Sequence, residues 1–214
     1  MVKVKTSDEV MQNYQREDIA GSYIRKRFVT PIGKAEHAQQ IDTVNRLIEK
    51  QGLRTALDLA CGPARITRDI KGIKSGIAID SSENMLKIAK ILMKDNPHWK
   101  FKKADILKLK LNKKFDLVTT FRFIFHFNKP QREIIYKVIK NSLKRDGFLV
   151  FDAKNIKKAK KIKALVKMIH GKNRYKVYQK LYTKQELISE LRANGFSVLK
   201  MDANINHFYS CLLY

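Results

Sequence analysis

Cysteine is almost missing from this chain: its 214 residues hold only Cys61 and Cys211. A multi-disulfide scaffold is excluded, and a single bridge would lock a turn to the last strand. A reduced, cytoplasmic protein with both thiols as small core residues is expected. Long apolar runs are missing as well. None approaches the ~18 residues of a membrane span, and the N-terminus lacks an apolar signal segment, so neither a membrane-spanning nor a secreted protein is expected. His and Cys do not cluster at ligand spacing, so no metal is expected. The chain has no low-complexity linker and no internal repeat, and its length suits one domain with a full core.

Acids are scarce. Twenty Asp and Glu face 45 Lys and Arg, a net charge of +25. A surface that basic attracts phosphates, whether of nucleic acid, anionic lipid or a phosphorylated substrate. Yet 33 of the 45 are Lys, the residue of solvated faces, whereas planar phosphate recognition favours Arg. Charge alone does not decide between a partner and compositional drift.

What the chain does have is Thr55-Ala-Leu-Asp-Leu-Ala-Cys-Gly-Pro-Ala-Arg-Ile-Thr67. Ala56, Leu57 and Leu59 around Asp58 predict a buried strand. Gly62-Pro63 break it, and an amphipathic run through Ile66 and Ile70 predicts a helix start, the first half of a βαβ unit. Such a turn offers backbone N–H groups and a small-residue surface to a ligand at the strand's carboxyl end. A dinucleotide fingerprint would want glycine at 60, 62 and 65, where this chain has Ala60, Gly62 and Arg65. Asp58 would repel a pyrophosphate but suits an ammonium group. Gly76-Ile-Ala-Ile-Asp80 is a second strand ending in an acid, placed where nucleotide-binding α/β folds grip a ribose. An acid for an amine and an acid for a ribose fit S-adenosylmethionine better than NAD.

These residues resemble the class I, Rossmann-like S-adenosylmethionine-dependent methyltransferases. Asp58-Leu-Ala-Cys-Gly-Pro-Ala is similar to their Asp/Glu-x-Gly-x-Gly-x-Gly motif, with Ala60 and Ala64 in place of the first and third glycines. The resemblance spans residues 34–214 and implies a doubly wound, mostly parallel, seven-stranded sheet. It places Asp58, Ala60, Cys61, Gly62, Asp80, Ser81, Met85, Asp105, Ile106 and Phe121 at the cofactor. Met85 would pack on adenine, Asp105 would accept from its N6 amine, and Phe121 would lie beside the methionyl portion. It is silent on the methyl acceptor.

Other segments follow the same resemblance. Residues 1–33 are similar to an N-terminal cap closing the acceptor pocket, with Tyr23 and Arg27 its candidates and Pro31-Ile-Gly33 its helix-breaking end. Lys34 to Lys50 predicts a helix, as does Ser82 to about Asp95 after its Ser/Glu cap. Phe115 to Thr120 predicts a strand whose exit is dense in aromatics: Phe121, Phe123, Phe125 and Phe127, with Arg122 and His126 between them. His126 is either a general base for the acceptor or a structural imidazole. Pro130 to Leu143 predicts a helix stopped at Arg145-Asp-Gly147, then a strand from Phe148 to Asp152. Thr183 to Glu186 is a capping box, followed by a strand from Ser197 to Met201 and a reversed last strand over residues 207–214.

Between Asp152 and Glu186 lie twelve Lys or Arg and no acid. Ile156, Ala159, Ile162, Leu165 and Ile169 recur at helical spacing, followed by Tyr175, Tyr178 and Tyr182 among lysines. By resemblance residues 153–182 are an acceptor-binding lid. Two acceptor classes remain: a small molecule, an anionic one included, and, because residues 154–184 are so basic, RNA or a nucleic-acid-associated protein.

Overall fold

The computed structural model of the chain describes residues 7–27, 29–157, 159–160, 179–203 and 208–213. Its centre is a sheet built of β1 (Thr55–Leu59), β2 (Ser75–Asp80), β3 (Trp99–Lys103), β4 (Phe115–Thr120), β5 (Leu143–Asn155), β6 (Leu181–Tyr182), β7 (Val198–Ala203) and β8 (Phe208–Leu213). The order is β3-β2-β1-β4-β5-β8-β7, with β6 beside β5. The strands from β3 to β5 run parallel, and β8 runs antiparallel to both β5 and β7. Among the described residues the sheet thus has eight strands against the seven expected, the two-residue β6 being the one not foreseen. The order reverses between β1 and β4, the place where doubly wound sheets open a crevice at their carboxyl ends.

The helices are α1 (Ser7–Gln15), α2 (Glu17–Arg27), α3 (Pro31–Gln51), α4 (Glu83–Leu92), α5 (Lys129–Ser142) and α6 (Lys184–Ala193). Side chains alternate along the strands, so each strand feeds two cores. Ala56, Leu117, Phe148 and Val150 meet Val44 and Ile48 of α3 and Leu86 and Ala89 of α4. Leu57, Val118, Leu149 and Phe151 face the other way, onto Ile135 and Ile139 of α5 and Leu187 and Leu191 of α6. Gly76 sits opposite Trp99 in the β2–β3 register, and a Cβ there would stand 2.4 Å from the indole ring. Glycine at 76 makes room for the chain's one tryptophan.

Four local expectations are corrected. Pro31 starts a helix instead of breaking one: Thr30 caps α3 through the Gly33 N–H, and Pro31 occupies its first turn, where no donor is needed. The helix expected after Gly62-Pro63 does not form. Turns and a three-residue 3-10 segment, Thr67–Asp69, stand there, because Ala64 takes a left-handed φ of 61° that stops an α-helix at its start. Strand β5 begins at Leu143, not Phe148, because Leu143 already pairs with Phe115 across a bulge. And α4 stops at Leu92, short of Asp95. Of the expected basic helix, residues 156–157 and 159–160 are helical and 161–178 lie outside the described residues.

Two polar ties position the carboxyl end of the sheet. Ser82 donates to the Tyr14 carbonyl at 2.9 Å and Asn84 to the Gln15 carbonyl at 2.8 Å, which anchors α1 over the start of α4. At the far end, Asp116 accepts from the backbone N–H groups of Arg54 and Thr55 and from Lys144, which pull its pKa down to about 2 against its partial burial.

Candidate active site

A cleft of about 760 Å³, open solvent at its mouth included, lies at the carboxyl ends of β1 to β4. Of the residues singled out from sequence, it brings together Tyr23, Ala60, Gly62, Asp80, Ser81, Met85, Asp105, Ile106, Phe121, Arg122 and His126. A smaller cavity of about 310 Å³ adjoins it, sharing Tyr23, Ala60, Gly62 and Phe121, and this second space holds Asp58 and Cys61. Arg27 closes α2, but its side chain, like Tyr175 and Tyr178, lies outside the described residues. Phe123 and Phe127 of the aromatic exit also line the cleft, whereas sequence reasoning passes over Tyr14 and Leu107 there and Arg65 in the cavity.

The turn after β1 has an unusual backbone. Ala60, Gly62 and Ala64 all have positive φ, at 57°, 56° and 61°. The glycine-like conformation is kept although glycine survives at only one of the three positions. Asp80 closes the turn from the next strand, accepting from the N–H groups of Gly62 and Ser82, each at 2.8 Å. Burial raises its pKa, and those two donors work against the rise. A carboxylate has about four acceptor positions, so with these backbone donors, Ser81 among them, Asp80 keeps capacity for a hydroxyl.

Asp58 is fully buried, and both its oxygens are fixed by hydroxyls: Thr67 donates to one, and Thr119 to the other at 2.9 Å. Burial pushes its pKa up to about 6, opposed by those hydroxyls and by the charge of Arg65. Arg65 is itself 5% exposed. One guanidinium nitrogen donates to His37 Nδ1 at 2.9 Å, and His37 Nε2 lies 2.7 Å from Asp69. Arginine can only donate, so Nδ1 carries the lone pair and the proton sits on Nε2, donated to Asp69. Burial, with the Arg65 charge adding to it, holds the imidazole's pKa below its usual value against the pull of Asp69. The cavity therefore presents one buried acid and one buried guanidinium held by a neutral histidine.

A second buried network backs the cleft's other wall. Arg122, with φ of 59°, donates its backbone N–H to Asp152 at 2.6 Å and sets its guanidinium 3.6 Å from Glu36 of α3, which is 1% exposed. Gln40 reaches Asp152 as well. Burial lifts Asp152 to about 6, while Arg122 opposes the rise. Asp105 caps a 3-10 turn through the Leu107 N–H and places Ile106 at the cleft. Cys61 donates its N–H to the Ile79 carbonyl, and burial drives its thiol well above the ordinary range, so it is an inert wall residue. Among the described residues no cluster of His, Cys, Asp or Glu could hold a metal.

Residues 56–147 match the family described as methyltransferase domain. That segment is a methyltransferase domain, of the class I, S-adenosylmethionine-dependent kind. Solved structures share its fold at low identity. A structure described as a DhpI-SAM-HEP complex matches at TM-score 0.75 and 18% identity, over 100% of both chains. Magnesium protoporphyrin IX methyltransferase of Synechocystis PCC 6803, with bound SAH, matches at 0.73 and 17%, over 97% of each chain. The N-methyltransferase NodS of Bradyrhizobium japonicum WM9, in complex with SAH, matches at 0.70 and 13%, over 98% of each. Among curated protein sequences none matches this methyltransferase. No described helix is long and apolar enough to cross a membrane.

Proposed function

We propose that this methyltransferase moves the methyl group of S-adenosylmethionine to a small-molecule acceptor that enters between the N-terminal helices and the exit of β4. The observation that carries the reading is the paired set of cavities, one rimmed by acids suited to a nucleoside and one holding a carboxylate beside a guanidinium. A zwitterionic amino-acid head fits the second, its ammonium toward Asp58 and its carboxylate toward Arg65. In the first, Asp80 is suited to ribose hydroxyls and Asp105 to the adenine amine, with Met85 and Ile106 against the base and Phe121 beside the methionyl chain. When bound, S-adenosylmethionine supplies a methyl group on a positively charged sulfur.

The protein's own contribution is placement. Methyl transfer is an in-line displacement, so holding the acceptor in near-attack geometry and excluding water does most of the work. Tyr14 and Tyr23 from the N-terminal helices and Phe123 and Phe127 from the β4 exit wall the acceptor end. His126, in the 3-10 segment Ile124–His126, is the group suited to take the acceptor's proton. Several neighbours support a small acceptor: magnesium protoporphyrin IX is one named substrate. The runner-up, an RNA or RNA-associated acceptor, rests on residues 154–184, and no described feature of the cleft favours it.

The test is product analysis. Purified protein and methyl-labelled donor are added to a cell extract, then fractionated into RNA, protein, lipid and small molecules. Label in the small-molecule fraction is expected. Label confined to RNA or protein would overturn the reading.

A further inference from the structure

The cleft's acceptor end narrows the substrate class, on the reading that the donor occupies the acid-rimmed end. Seven described residues wall what remains: Tyr14, Tyr23, Leu107, Arg122, Phe123, His126 and Phe127. Four of them form two aromatic pairs from opposite parts of the chain. Tyr14 and Tyr23 meet edge to face at 6.0 Å, and Phe123 and Phe127 at 4.7 Å. Edge-to-face pairs turn ring faces and ring edges toward a neighbour, the arrangement that accepts a further flat ring.

Arg122 is the fixed cation among these seven, and its charge is already used. Glu36, buried on α3, stands 3.6 Å from the guanidinium, and Asp152 holds its backbone from β5. Those acids and the surrounding tyrosines keep Arg122 charged against burial. An anionic acceptor would compete with two fixed, buried carboxylates for one guanidinium, and would be drawn from water to do it. The charged and the apolar parts of the wall therefore discriminate in the same direction.

We propose that the acceptor is an uncharged, planar aromatic molecule bearing a hydroxyl, its ring against the Tyr14–Tyr23 and Phe123–Phe127 pairs and its oxygen at His126. The imidazole takes the hydroxyl proton. The oxygen's freed pair forms the new bond to the methyl carbon as the carbon–sulfur bond breaks, and the sulfur keeps the pair of the broken bond as a neutral thioether. The products are an aryl methyl ether, S-adenosylhomocysteine and a proton, later lost from His126 to water.

Calorimetry on the full chain loaded with S-adenosylhomocysteine tests this with three probes: 2-naphthol, its anionic counterpart 2-naphthoate, and the saturated 2-decalol. Naphthol is expected to saturate one site about tenfold more tightly than either other probe. Phe123→Ala should weaken naphthol by about the same factor while leaving S-adenosylhomocysteine affinity unchanged. Naphthoate binding as tightly as naphthol, naphthol failing to saturate, or Phe123→Ala leaving naphthol unaffected would each overturn the aromatic acceptor. Failure of S-adenosylhomocysteine to bind is seen before any probe is added, and removes the methyl-donor reading itself.

Discussion

Replacing Ala60 and Ala64 by glycine, one at a time, should separate two forces acting on the same turn. Both alanines hold a left-handed φ, at 57° and 61°. An L-residue there costs about 1–2 kcal/mol that glycine avoids. Glycine gives back about 0.4–1 kcal/mol of that through the greater freedom of its unfolded chain. For Ala60, whose methyl is only half-buried, the balance is a gain of about 0.5–1 kcal/mol. Ala64 is 0% exposed, and losing a buried methyl costs about 0.8 kcal/mol, which cancels the gain. Urea denaturation of the two variants beside wild type is the assay. Ala60→Gly should raise the midpoint at unchanged m-value, and Ala64→Gly should leave it nearly where it was. A loss of about 1 kcal/mol or more in Ala60→Gly would refute the strain argument.

Three further outcomes are expected. Glu190 accepts both arms of Arg132, at 2.8 and 2.7 Å, and the hydroxyls of Tyr136 and Tyr182, at 3.0 and 2.7 Å, so Glu190→Ala should cost about 3–5 kcal/mol in urea denaturation by stranding a buried cation. Gly76→Ala drives a methyl into the Trp99 ring and should cost about 1–3 kcal/mol, with a shift in the Trp99 emission maximum. Asp58 and Asp152, with pKa values raised to about 6 by burial, bind protons more tightly folded than unfolded, so the ligand-free protein should gain stability as pH falls from 7 toward 5. Asp116, depressed to about 2, acts oppositely: its support is present above its unfolded value near 4 and is lost as pH falls below that, so thermal melts should peak near pH 4–5.

Much of the sheet was legible because its signals are local. The short apolar runs of β4 and β5, the capping box at Thr183 and the acid at the end of β2 are each written within a few residues. The three-glycine motif was legible in outline, but in sequence Ala60 and Ala64 are only small residues that leave space. Their backbone conformation is invisible in composition, and that of Ala64 is what stops the helix after Pro63. Arg65 escapes for a different reason. In the sequence it marks only an absent glycine, and its partner His37 lies on a helix 28 residues earlier. Tyr14 likewise gains its place through bonds from Ser82 and Asn84 to the end of α1, contacts of 68 and 69 residues in separation. The basic stretch expected to form a lid keeps its charge signal, but residues 161–178 lie outside the described residues.

The most direct measurement is calorimetric titration of S-adenosylhomocysteine into wild type and Asp80→Asn. The substituted amide keeps the shape and one acceptor for the turn, but loses the charge proposed to meet the ribose. Wild type should bind one equivalent, and Asp80→Asn should bind it at least about tenfold more weakly, the loss of one charge-assisted hydrogen bond. No heat with wild type, or equal affinity in the two proteins, would contradict the assignment of this cleft to a methyl donor.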